Sequence, residues 1–286
     1  MHNKLFICYT SQMKNIYITD LDHTFLQNNL SISPFTHEIW NSFASHSIVS
    51  VATARTYKKT IQFLQNIEVN APMILLDGAL IATIDKKIID TKFISEDVAN
   101  NIIDIGAKYS IFPFVLALEG NGLNEAFLYS DICNEAQTQV LTRYAKDDNL
   151  QERKNIRAMK ENFKVVYMGE EQLLRELCAE LEDTFGNELK YILAPEAYIG
   201  CYFLTILHKN ADKSHGIQTV SEYVGFDLNK LTVFGDNYND LGMFKLAGTS
   251  VAMSNAQQLV KDSADIVLPH SNDEDGVARY LQGLGI

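Results

Sequence analysis

A chain of 286 residues has room for one large or two ordinary domains, and its 47% hydrophobic content supplies a real core and excludes disorder. The formal charge of -12, with no dense Lys and Arg cluster, excludes a nucleic-acid-binding face and leaves small molecules and metal cations as natural partners. Cys8, Cys133, Cys178 and Cys201 are scattered without a Cys-x-x-Cys pair, which predicts reduced thiols at small core positions in a cytoplasmic protein.

The first twelve residues contain only a short apolar stretch at 5–9, less than a signal peptide or a membrane span needs. They read either as an accessory extension or as residues upstream of an alternative start at Met13, and the protein is expected to be neither exported nor membrane-bound. The sequence fixes no oligomeric state.

The first strand is Ile16-Tyr17-Ile18-Thr19, and it stops at Asp20-Leu21-Asp22. Ser33-Pro34 then looks like an N-cap with proline at the first helical position, opening a helix through Trp40 and Phe43. A buried strand at 48–52, a helix at 56–67 and a short apolar strand at 73–76 continue the alternation, which predicts a parallel sheet with helices on both faces. From Leu80 the pattern changes to a hairpin around Asp85-Lys86 and a helix capped by Ser95. Strand-like runs follow at 114–118, 126–129, 163–167, 190–193 and 198–203, separated by helices at 134–145 and 171–185. This α+β stretch reads as an inserted domain over 82–203. The βα alternation resumes with helices at 213–224, 241–246 and 256–263 and strands at 231–234 and 250–253. The fold class is therefore α/β, a Rossmann-like parallel core over 1–81 and 204–286 with an inserted α+β domain.

Four polar clusters fall just after predicted strands or at helix starts, where open α/β sheets bind ligands. Asp20 and Asp22 start on one face of a strand end, an arrangement suited to a nucleophile beside an acid/base partner, and equally to a turn, a cation loop or a helix cap. Ala52-Thr53-Ala54-Arg55 offers a hydroxyl and free backbone N–H groups for an anion, or an ordinary helix cap. Lys213 opens a helix, where the macrodipole disfavours a cation unless an anion is near; the plainer reading is a solvated surface lysine. Gly235-Asp236-Asn237-Tyr238-Asn239-Asp240 follows a strand; its glycine is expected to let the chain turn sharply, and its acids are hard oxygen ligands suited to magnesium. Together these groups describe phosphoryl transfer by way of a carboxylate nucleophile.

On these residues the chain resembles a haloacid dehalogenase superfamily hydrolase of the Cof-like phosphatase group, with a large cap between the second and third motifs. Asp20-Leu21-Asp22-His23-Thr24 matches the first motif, Ala52-Thr53-Ala54-Arg55 the second, Lys213 the third and Gly235 to Asp240 the fourth, while Val251 to Ala256 and Asn272 to Ala278 resemble the closing segments. The resemblance implies a phosphatase with Asp20 as nucleophile and Asp22 as acid/base. It implies Mg2+ held by Asp20, the main-chain carbonyl of Asp22, and Asp236, with Asp240 in support. Thr53, the N–H of Ala54, Lys213 and Asn239 would hold the phosphate of a small phosphorylated metabolite, a sugar phosphate or a nucleotide-like cofactor. The inserted domain would be the cap that selects the leaving group. A phosphomutase of the same superfamily and a non-catalytic phospho-acceptor protein are the alternatives.

The chain departs from the family pattern at four places. His23 and Ala54 stand where glycines are usual, Asp77 where asparagine is common and Ser254 where glycine is common. His23 is either a proton-active group or a bystander in a turn.

Overall fold

All four side chains of Ile16–Thr19 (β1) are buried, which explains a continuous β-branched and aromatic run in place of an alternating one. The structure, a computed structural model, describes residues 15–143, 145, 149–196 and 199–285. After β1 come α1 (Pro34–Ala44), β2 (Ile48–Val51), α2 (Tyr57–Phe63), β3 (Met73–Leu75), β4 (Leu80–Ala82) and β5 (Ile88–Thr91). Next follow β6 (Ile94–Ser95), α3 (Glu96–Lys108), β7 (Phe114–Leu118), β8 (Glu125–Ser130), α4 (Glu135–Arg143), β9 (Leu150–Arg153), β10 (Glu161–Gly169), α5 (Glu171–Phe185), β11 (Leu189–Glu196) and β12 (Cys201–His208). The chain closes with α6 (Lys213–Val224), β13 (Leu231–Gly235), α7 (Leu241–Leu246), β14 (Thr249–Ala252), α8 (Gln258–Asp262), β15 (Ile266–Val267) and α9 (Gly276–Gly283).

Five strands form a parallel sheet in the order β15-β14-β13-β1-β2, so β1 is central and flanked by β13 and β2. Thr19 lies opposite both Phe234 and Val51. The three strands therefore end almost level, and the residues that follow them emerge together at one edge of the sheet. α1 opens as its sequence predicts, with Ser33 Oγ accepting the Thr36 N–H and Pro34 in the first turn. It buries Trp40, whose ring lies 4.8 Å edge-on from Phe25 and whose Nε1 donates to the Glu68 carbonyl.

A larger sheet has the order β11-β12-β10-β7-β8-β9, with β6 pairing β10. Its pairs are antiparallel except β8 with β9, which run parallel. α3 and α5 cover one face, where Ile102, Ile103, Val165, Tyr167, Leu177 and Leu204 share one apolar cluster. On the other face Leu116, Leu118 and Leu207 join the apolar cluster of the parallel core. β3, β4 and β5 form a third, antiparallel sheet, with Thr83 N–H donating to Lys87 O across the expected turn.

Some local expectations differ. The helix expected over 56–67 stops at Phe63, and Asn66 beyond it adopts φ 64°. The strands β6, β9 and β15 were not anticipated; β9 reads Leu-Gln-Glu-Arg, too polar and short for a periodicity signal, and depends on its pairing with β8. β12 runs through residue 203 to His208. Cys133, Cys178 and Cys201 are only half-buried, so they are not the core fillers expected. Cys8, Tyr198 and the stretch 1–12 lie outside the described residues. No helix among the described residues is long and apolar enough to cross a membrane.

Gly78 ties the third sheet to the start of α6. It holds φ +89°, and a Cβ there would stand 2.2 Å from the carbonyl oxygen of Asp212, the N-cap of α6. Gly120 has a similar φ of +66° with nothing within 4 Å. Gly78→Ala is therefore expected to cost about 2–4 kcal/mol from backbone strain and overpacking, against about 1 kcal/mol for Gly120→Ala. Urea unfolding of the two variants measures the difference, and equal losses would remove the close-approach argument.

Candidate active site

The residues that follow β1 and β13 meet because those strands are neighbours in register, Thr19 opposite Phe234, and the Asp20 N–H continues the ladder by donating to Phe234 O at 2.9 Å. Asp20 and Asp236 are both buried just beyond that rung. Lys213, the first residue of α6, is 1% exposed and donates from Nζ to Asp20 Oδ1 and to Asp240 Oδ1, each at 2.7 Å. The solvated-surface reading of this lysine is therefore overturned. The anions that its position called for are the protein's own carboxylates.

Asp240 is completely enclosed. Its second oxygen accepts the N–H groups of Asp236 at 2.9 Å and Asn237 at 3.0 Å, fixing the turn after β13. Gly235 makes room for this carboxylate, since a Cβ there would lie 2.6 Å from it. Gly235 has no positive φ, so the expected sharp glycine turn is replaced by a close approach. Thr24 Oγ1 donates to Asp236 Oδ1 at 2.9 Å, a partner in the first motif to which sequence reasoning gave no role.

Asp22 does not join this group. Its carboxylate is 36% exposed and takes a bidentate pair from Arg55, Nε to Oδ2 at 2.7 Å and Nη2 to Oδ1. The guanidinium also lies 4.5 Å from the Phe63 ring centroid. Arg55 stood in the quoted second motif, but its reach to Asp22 is a long-range contact that no local pattern announces. His23 is exposed at φ 56°, a left-handed conformation that histidine tolerates better than most residues. Its ring meets Asn28 Oδ1 at 3.1 Å and its carbonyl accepts from Asn255 Nδ2, so the contacts are those of a turn residue.

Thr53 is buried past the end of β2, its Oγ1 accepting the Arg55 N–H at 3.2 Å. Ala54 has no positive φ, so alanine fits where glycine is usual. Leu76, Asp77 and Gly78 take three successive positive φ values of 51°, 56° and 89°. Hydrogen bonds from Leu76 N–H to Arg55 O and from Asp77 N–H to Thr53 O lash this strained turn to the second motif. Asp77 is buried and its Oδ1 accepts Asn239 Nδ2 at 3.1 Å, which fixes the asparagine side chain. Sequence reading noted Asp77 only as a departure from the family pattern.

Burial pushes the Asp20 carboxyl well above the usual carboxylate range; Lys213 opposes this, while Asp240 and Asp236 reinforce it. Burial and the Asp240 charge likewise push Asp236 up to about 6, against the pull of its Thr24 hydrogen bond. For Lys213 burial works against the charge, yet Asp20 and Asp240 hold the ammonium above the ordinary lysine range. One ammonium thus faces three carboxylates. Oxygens of Asp20, Asp236 and Asp240 all lie within 4.8 Å of one another, a hard donor set that fits a small divalent cation.

Comparison with known proteins agrees with this arrangement. The family profile of haloacid dehalogenase-like hydrolases matches residues 17–281. A 5-amino-6-(5-phospho-D-ribitylamino)uracil phosphatase of Bacillus subtilis is 25% identical over 92% of this chain and 94% of its own. A crystal structure from Thermotoga maritima superimposes with a TM-score of 0.80 at 25% identity, covering 96% of this chain and 98% of that one. A subclass IIB sugar phosphatase shares the fold, with a TM-score of 0.72 at 19% identity over 95% of this chain and 99% of that one. The chain belongs to the haloacid dehalogenase-like hydrolases, in their Cof-like group.

Proposed function

We propose that the protein is a Mg2+-dependent phosphomonoesterase that hydrolyses a small phosphorylated metabolite, a sugar phosphate or nucleotide-like cofactor, through an aspartyl-phosphate on Asp20. The observation that carries this reading is the Lys213 ammonium buried between Asp20 and Asp240, with Asp236 beside them. The similarity to the B. subtilis phosphatase, whose named substrate carries a phosphorylated ribityl chain, supports the substrate class. Residues 82–203 are proposed as the cap over the site.

In this scheme Asp20, Asp236 and the main-chain carbonyl of Asp22 hold Mg2+ with Asp240 in support, because both Asp240 oxygens already accept hydrogen bonds. When bound, the ion offsets charge on the phosphoryl oxygens. An Asp20 oxygen attacks phosphorus and the bond to the ester oxygen breaks, with Asp22 giving its proton to the departing alkoxide. Asp22 then takes a proton from water, whose oxygen attacks the same phosphorus and frees Asp20 and inorganic phosphate. Lys213, Thr53, the Ala54 N–H and Asn239 hold the phosphoryl oxygens. Serving as the acid requires Asp22 to exchange at least one Arg55 contact for the ester oxygen.

Release of phosphate from p-nitrophenyl phosphate is expected with Mg2+, to vanish with EDTA and to return with excess Mg2+. Asp20→Asn abolishes turnover, and Asp22→Asn slows it by about 10² to 10⁴; an active Asp20→Asn protein removes the nucleophile assignment.

Mg2+ binding should also depend on pH. Asp236 holds its proton up to about 6, more tightly folded than unfolded, so the metal-free protein loses this stabilisation as pH rises through about 6. Mg2+ binds the ionised carboxylates, and its stabilisation grows over the same interval. Thermal unfolding with and without Mg2+ should therefore show a larger shift at pH 7.5 than at pH 5. Equal shifts would contradict proton competition at this site.

A further inference from the structure

Two charged residues of the larger sheet reach down to the second motif and to the start of α2 that follows it. The Glu125 carboxylate, at the start of β8, accepts the N–H groups of Tyr57 at 2.6 Å and Lys58 at 3.0 Å. Lys164, on β10, donates from Nζ to the Ala54 carbonyl at 3.3 Å. Lys164 lies opposite Leu116 on one side and Leu207 on the other, so it stands on the sheet face that meets the parallel core. Among the described residues this single long hydrogen bond is its only one, although an ammonium carries three donors.

The site places strong demands on what such a cation can do. Burial pushes the Lys164 pKa down, and the charges acting the other way are those of Asp77 and Glu125. Asp77 also acts on Lys213 and fixes Asn239, so Lys164 and Lys213 share Asp77 as an electrostatic neighbour. Glu125 is already engaged with the α2 backbone. Lys164 therefore has donors to spare beside the proposed phosphate loop. With two carboxylates nearby, a second anionic group on the substrate is disfavoured, and a neutral hydroxyl oxygen is the acceptor that suits it.

We propose that Lys164 is the specificity-determining residue of the cap, donating to a hydroxyl oxygen on a neutral, polyhydroxylated leaving group. The assignment rests on the phosphatase reading above and names the substrate class as polyol or sugar phosphates.

The test compares kcat/KM for ribitol 5-phosphate with that for p-nitrophenyl phosphate, whose leaving group has no hydroxyl to recognise. Lys164→Met is expected to lower the ratio of the two about tenfold, chiefly through KM for the polyol phosphate, and Lys164→Arg to recover part of it. Glu125→Gln loosens the same seam without removing the donor, so it should change both substrates in the same proportion. Thermal unfolding establishes that each variant is folded. A Lys164→Met ratio equal to the wild-type ratio overturns the assignment, because Lys164 then serves only the seam. Wild-type turnover of the aryl phosphate without the polyol phosphate overturns the substrate class. A wild-type protein that hydrolyses neither overturns the phosphatase reading itself, and the assignment falls with it.

Discussion

The buried ammonium of Lys213 is the interaction on which the rest of the site depends. A lysine with essentially no exposure is tolerable only where its desolvation is offset, and here Asp20 and Asp240 offset it at 2.7 Å each. Each partner has its own support. β1 and β13 bring Asp20 level with the turn after Gly235, two backbone N–H groups hold Asp240, and Asp212 caps the helix that Lys213 opens. One ammonium matches only part of the charge of three ionised carboxylates, and burial together with their mutual repulsion raises the Asp20 and Asp236 carboxyls. The residual charge is what suits this carboxylate cluster to a divalent cation.

Around that cluster the backbone holds several residues in costly conformations. His23, Leu76 and Asp77 all adopt left-handed φ values without being glycine. Such strain persists only where the surroundings over-determine it, and the hydrogen bonds from Leu76 and Asp77 to Arg55 and Thr53 do this for the second turn. The strained turn and the second motif are one rigid unit. Asn239 is drawn into it through Asp77, so the 76–78 turn ties together groups proposed to grip phosphate from the segment after β2 and the loop after β13.

The parallel core was legible in the sequence because its strands are continuous apolar runs and its helices carry N-caps such as Ser33. The site was legible as a set of residue types at strand ends, since strand register alone brings Asp20, Asp236 and Thr53 to one edge. Partners were less legible. The Arg55 hold on Asp22 and the Thr24 bond to Asp236 join residues far apart in the chain, which local periodicity does not encode. Gly235 shows the same limit in another form: its position was noticed, but its reason, space for the Asp240 carboxylate, exists only in three dimensions. The edge strands β6, β9 and β15 are too short or too polar to announce themselves and owe their form to their neighbours.

Asp20 and Asp22, one residue apart at a strand end, posed a problem of like charges at close range. The structure solves it by separating them: Asp20 turns inward to the buried Lys213 ammonium, while Asp22 turns to the Arg55 guanidinium. That solution has a mechanical consequence. Arg55 stands between Ala54, whose carbonyl accepts from Lys164, and the start of α2, where the Tyr57 and Lys58 N–H groups donate to Glu125. The residue that holds Asp22 thus lies between two points at which the larger sheet contacts the chain. In the proposed mechanism, the contacts at the seam and the proton transfer assigned to Asp22 would therefore share one stretch of backbone, residues 54–58.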